Sequence, residues 1–89
     1  MPKTELLKGK QIGKITHYFS KIGVGVLELE GSLKVGDTIV ISAHQGDFEQ
    51  LVDSMQVEHN QVTQAKKGDA VGLKVNESVK EGDLVYLKG

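Results

Sequence analysis

The groups in this sequence that could do chemistry are a few histidines, carboxylates and hydroxyls. His44 stands just ahead of Asp47 and Glu49, and Glu58 directly precedes His59. A general base needs its imidazole within hydrogen-bond reach of a partner, and a metal centre needs three or four donors converging on one ion. No two histidines share the fixed spacing of a helix or strand. His44 and His59 therefore read as loop residues, and His17, beside Tyr18, as a partly buried strand residue. Ser20, Ser32, Ser42, Ser54 and Ser78 all lack the flanking glycines that hold a nucleophile out on a sharp turn. The segment "GDAVGLKV" has the wrong spacing for a phosphate loop and no Ser or Thr after Lys74. With no cysteine in the chain, thiolate chemistry and disulfides are excluded. The expectation is no enzyme activity, no nucleotide, no metal and no cofactor.

Charge is unevenly spread. Residues 1–21 carry Lys3, Lys8, Lys10, Lys14 and Lys21 against Glu5 alone, whereas the remainder is acidic. All 11 cations are lysine. Lysine is a hydrated point charge without the guanidinium fork that reads guanine edges, so sequence-specific reading of nucleic acid is not expected. Looser contact with a phosphate backbone through the N-terminal lysines stays open, as does the alternative of a solvated strand face. Aromatic residues make up only 4% of the chain, little material for stacking bases. No apolar run reaches the roughly 18 residues of a membrane span. "MPKTELLKGK" lacks the apolar centre of a signal peptide. A cytoplasmic chain with no membrane partner is expected.

The elements that must position these groups are short and β-prone. At 89 residues the chain supports one domain, here residues 9–89 after a frayed lead-in at 1–8. "KQIGKITHYF" places Gly13, Ile15, His17 and Phe19 on one side of a two-residue alternation. "VGVLELE" sets Leu27 and Leu29 against Glu28 and Glu30. "DTIVIS" turns Ile39 and Ile41 inward. "DFEQLVDSMQVE" is ambiguous: Phe48, Leu51, Val52 and Met55 also suit a helix capped by Asp47, but a strand is preferred among so many β runs. "AVGLKV" and "LVYLK" complete six strands. A closed barrel of six antiparallel strands is the expected fold, because closure removes exposed sheet edges from a small domain.

One word recurs. "KVGD", "KKGD" and "KEGD" each stand directly before an apolar run, at Gly36-Asp37, Gly68-Asp69 and Gly82-Asp83. Glycine reaches the positive φ of a tight turn, and the aspartate carboxylate can accept a backbone N–H there. The unequal intervals mark reused turn chemistry, the corners of the barrel, and not a structural repeat.

These stretches carry a family resemblance. "GSLKVGDTIVI", through Gly31, Leu33, Lys34, Val35, Gly36 and Asp37, resembles the β-barrel domain that follows the GTPase domain in translation factors such as elongation factor Tu. "VDSMQVEHNQVTQAKKGDAVGLKV" is similar to a later stretch of that family through Val62, Ala65, Gly68, Asp69, Val71, Gly72 and Leu73. "VKEGDLVY" matches through Glu81, Gly82 and Asp83. The resemblance covers about residues 10–88. It implies a free-standing domain of the translation-factor domain II type, without the GTPase domain and without the arginine of the family's first hairpin.

The leading functional expectation is thus a non-catalytic, translation-related binding module docking on RNA or a ribonucleoprotein such as the ribosome. Its contact surface would be Lys10, Lys14 and Lys21, with Tyr18 and Phe19. The alternative is a protein-interaction module, or a self-associating one, using an exposed strand such as "FEQLVDSMQV". A third reading, a small enzyme or metal protein, would use His44, Asp47, Glu58 and His59.

Overall fold

The computed structural model describes residues 9–43 and 46–88. The proposed lead-in at 1–8 and His44 lie outside the described residues. The chain forms β1 (Lys10–Phe19), β2 (Val24–Leu29), β3 (Leu33–Lys34), β4 (Thr38–Ala43), β5 (Gly46–Leu51), β6 (Met55–Val57), β7 (Asn60–Val62), β8 (Gln64–Ala65), β9 (Ala70–Lys74) and β10 (Leu84–Leu87). The all-β expectation stands, and the pairings are antiparallel. None of the described residues forms a helix long and apolar enough to cross a membrane.

The closed six-stranded barrel does not form. Eight strands make one open, curled sheet in the order β5-β4-β10-β1-β2-β9-β6-β7, and β3 with β8 makes a separate two-stranded sheet. The reason lies in "DFEQLVDSM". This stretch is two strands, β5 and β6, because the chain leaves the ladder at Val52–Ser54. Val52 is buried, and its backbone still bonds Asp37 and Gly36, next in register beyond the Thr38–Leu51 pair, before the chain passes to β6, which pairs β9. Leu51 is left exposed.

The two sides of the resulting seam are joined by one side chain. Gln50 on β5 donates from Nε2 to the Lys74 carbonyl at 2.8 Å. Its Oε1 accepts the Asn76 amide at 2.9 Å. A primary amide carries both a donor and an acceptor, so it stands in for one rung of backbone ladder. Gln50 is 6% exposed, a buried polar side chain at the edge of the core. A crevice of about 200 Å³ between Val52–Ser54 and Leu73–Asn76 marks where strand pairing stops.

The first strand also departs from simple alternation. Its register slips between Gln11 and Gly13 against β10, and between Ile15 and His17 against β2. Each bulge inserts a residue and reverses the faces beyond it. Ile12 and Ile15 therefore both point into the core, whereas His17 and Phe19, expected on the side of Ile15, face solvent. Tyr18 takes the inward place and packs on the core. Gly13 is required there by space: a Cβ would meet Leu27 Cδ1 at 2.7 Å and the Glu28 carbonyl at 2.9 Å.

The interior is aliphatic. Ile15, Leu27, Ile39, Ile41, Val71 and Val85 are shielded from water, and the short pair β3–β8 adds Leu33 and Ala65. Replacing Gln50 by leucine orphans the Lys74 carbonyl and the Asn76 amide together. Denaturant unfolding is expected to show a loss of about 1–3 kcal/mol. The Asn76 amide should lose its protection from hydrogen exchange in the same variant. An unchanged midpoint would contradict the role given to this amide.

Candidate functional site

The recurring Lys-x-Gly-Asp words build one corner three times. The Asp37, Asp69 and Asp83 Oδ2 atoms accept the amides of Lys34, Lys66 and Lys80 at 3.0, 3.0 and 2.8 Å. The aspartate amides donate in turn to the same lysines' carbonyls at 3.1, 3.0 and 3.1 Å. The third residue of each turn is Gly36, Gly68 or Gly82, with φ of 99, 95 and 96°. That positive φ is what a type II turn demands of its third position.

Each corner also grips a neighbouring strand by two backbone bonds. Gly36 donates to Val52, Gly68 to Leu29 and Gly82 to Ile15, while those residues donate back to the carbonyls of Asp37, Asp69 and Asp83. All three gripped residues are buried. The lysine side chains contribute nothing to this geometry; the backbone, the glycine and the carboxylate do it.

Two of the corners face each other. The pair β3–β8 sets Lys34 beside Gln64 and Leu33 beside Ala65. A cleft of about 610 Å³ lies there, lined by Lys34, Asp37, Lys66 and Asp69 with Leu33 and Leu87 among its apolar walls. One oxygen of each aspartate is already committed to its own turn, so this cleft belongs first to the fold.

The candidate contact residues of the first strand lie on and just after β1, among acidic neighbours. Lys10 and Lys14 are exposed on β1 and Lys21 is exposed in the turn after it. Along β1, Lys14 is register partner to Glu28, Gln11 holds Glu30 at 2.9 Å, and His17 Nδ1 lies 3.6 Å from Glu81 Oε2. The expectation of a partly buried His17 is corrected by the β1 bulge, which exposes it.

The aromatic pair separates as well, Tyr18 inward and Phe19 outward, 51% exposed. The turn Phe19–Ile22, closed by the Ile22 amide on the Phe19 carbonyl at 3.2 Å, brings Phe19 and Ile22 together. With Val24 and Val26 they line an apolar groove of about 270 Å³ on the outer face, walled by Glu58 and His59 of the β6–β7 hairpin.

Of the residues weighed for metal or acid-base chemistry, those that are described are not brought together. Asp47 lies on the β4–β5 hairpin and Glu58-His59 at the tip of the β6–β7 hairpin, at opposite ends of the sheet order. Glu49 is engaged by Lys88 at 3.0 Å. Among the described residues there is no group of three or more His, Asp or Glu that could hold a metal ion. Sequence reasoning missed Ile22, Val24, Val26 and Gly72 as surface residues.

Comparison with known proteins then redirects the functional reading. No family model matches the chain. Over 78 residues, 86% of the chain, it is 46% identical to an uncharacterized protease of Methanocaldococcus jannaschii. Over 77 residues, 84% of the chain, it is 38% identical to a collagenase of Porphyromonas gingivalis. The chain spans about a fifth of the length of these curated relatives, 19% and 21%. Its fold is similar to the C-terminal domain of a putative U32 peptidase of Geobacillus thermoleovorans, with a TM-score of 0.84 at 16% identity over 90% of this chain and 93% of that domain. The selenomethionine variant of that domain superposes with a TM-score of 0.82 over 86% of this chain and 98% of its own length.

These findings overturn the translation-factor resemblance and, with it, the translation-related RNA-docking module. The residues that carried the resemblance explain the error. Gly36, Asp37, Gly68, Asp69, Gly82 and Asp83 are corners, and Leu33, Ala65, Val71 and Leu73 are core. Such positions specify how a small sheet curls, a requirement that is independent of what the domain serves.

The corners give a direct prediction. Replacing Asp37, Asp69 or Asp83 by alanine removes one carboxylate–amide bond each and should lower stability by about 1 kcal/mol per site, with the main-chain turn retained. Thermal unfolding of the three variants checks this; no loss at any site would show that the carboxylates are dispensable.

Proposed function

We propose that this chain is a non-catalytic accessory domain of a U32-peptidase-type protein, the counterpart of the C-terminal domain seen in the Geobacillus protein. The observation that carries the reading is near-complete coverage of the chain at 46% identity, confined to 19% of a protein described as a protease. A segment that small, with its own core and corners, is a domain added to a larger machine. The collagenase relative supports the same division, with 84% of the chain matching 21% of that protein. In this reading the groups that cleave the peptide bond reside in the larger part of such proteins, and this domain serves them by contact.

The test is a graft. The matching 77-residue segment of the Porphyromonas collagenase is deleted, or replaced by this chain, and cleavage of gelatin is measured. Deletion is expected to abolish or sharply lower cleavage, and the graft to restore it, while the isolated 89-residue chain cleaves nothing. Peptide-bond cleavage by the isolated chain, or full activity after deletion, would overturn the proposal.

A further inference from the structure

The outer groove carries features that folding does not require. The register places Phe19, Val24 and Lys74 in one outward row, and His17, Val26, Gly72 and Gln56 in the next. Gly72 sits mid-strand on β9, where glycine weakens a sheet. Unlike Gly13, it is not demanded by space: a Cβ there would meet only Val24 Cγ1, at an ordinary 3.7 Å. It is not among the glycines with positive φ either. A strand glycine without a packing reason marks a place where another chain can come close to the backbone.

The groove wall is also built at a cost. Glu58 and His59 have φ of 52 and 67°. Both centre residues of this two-residue hairpin are left-handed, a conformation that glycine, asparagine and histidine adopt more readily than glutamate. The turn holds the Glu58 carboxylate beside an apolar floor on which Phe19 and Ile22 are 51% and 63% exposed. Glu58 forms no ion pair with a described residue, whereas Lys74 lies beyond Val24 on the other side. The groove thus offers apolar contact with a negative wall at the hairpin.

We infer that this groove binds an extended polypeptide segment, seating an aliphatic or aromatic side chain over Gly72 with a neighbouring lysine or arginine at Glu58. The inference deepens the accessory-domain reading and rests on it for its biological setting: the polypeptide is a substrate chain of the protease-type protein. Charge complementarity selects that occupant. A second copy of this chain, which would bring its own Lys74 to this face, is the competing occupant that the test separates.

The test uses the full chain, labelled with ¹⁵N, and two blocked peptides, acetyl-Gly-Leu-Phe-Lys-Gly-amide and its glutamate counterpart. The lysine peptide is expected to shift the amides of Phe19, Ile22, His59 and Gly72. The glutamate peptide should bind about two- to fivefold more weakly, the range of an exposed ion pair. Glu58→Gln should erase that difference, and Gly72→Leu, which fills the floor, should abolish binding. Gly72→Ala has room for its methyl group and keeps the variant series interpretable, since it should fold normally and bind less well. Absence of shifts at the groove, or equal binding of both peptides, would overturn the inference. So would concentration-dependent dimerisation with shifts at Phe19 and Ile22, which would make a second copy the occupant. Peptide binding by the isolated chain is read independently of gelatin cleavage by the graft, so failure of one is distinguishable from failure of the other.

Discussion

Everything in this structure hangs on a four-bond corner. An aspartate carboxylate takes the amide of the residue three before it, its own amide closes the turn, and two further backbone bonds fasten the corner to a buried residue on another strand. The corner occurs at Lys34–Asp37, Lys66–Asp69 and Lys80–Asp83, and the residues gripped are Val52, Leu29 and Ile15. Each grip fixes a strand entrance against the core. A small domain without disulfides has few other ways to define where its strands begin. The first corner also sets where β5 ends: the bonds that hold Val52 to Gly36 and Asp37 carry its pairing with the β4 side one residue past Leu51, and the chain then leaves the sheet before β6.

An open sheet of this kind would expose edges and leave backbone groups unpaired. Gln50 meets that problem at the seam by using its amide as a surrogate rung between Lys74 and Asn76. No buried side-chain nitrogen or oxygen among the described residues lacks a partner. The seam therefore stays narrow without being zipped. Elsewhere the curl of the sheet turns the end of the β1–β2 hairpin outward and produces the groove of Phe19, Ile22 and Val26, away from Lys10 and Leu87, which pair at the other end of β1.

Much of the fold was legible in the residues. "KQIGKITHYF" is β1 from end to end, and "VGVLELE", "DTIVIS", "AVGLKV" and "LVYLK" locate β2, β4, β9 and β10 to within a residue. Elements of two or three residues, β3, β7 and β8, escape because alternation cannot be detected over so short a span. The β1 bulges escape for a different reason: Gln11-Ile12-Gly13 and Thr16 look regular until a partner strand sets the register. Gln50 is invisible as a clasp because a glutamine among charged residues reads as surface, and only the three-dimensional approach of β5 to Lys74 buries it. Function was the least legible. Corners and core are shared requirements of small curled sheets, so words such as "GSLKVGD" speak of architecture whichever larger protein carries the domain.

Any surface of this domain is only as well defined as the corners beneath it. Native-state hydrogen exchange on the unmodified chain tests that foundation most directly. If the corners hold the fold, the amides of Ile15, Leu29 and Val52, each donated to a corner aspartate carbonyl, exchange only through complete unfolding, with the same free energy as the core amide of Leu27. Exchange of those three by local opening, while Leu27 stays protected, would contradict the account.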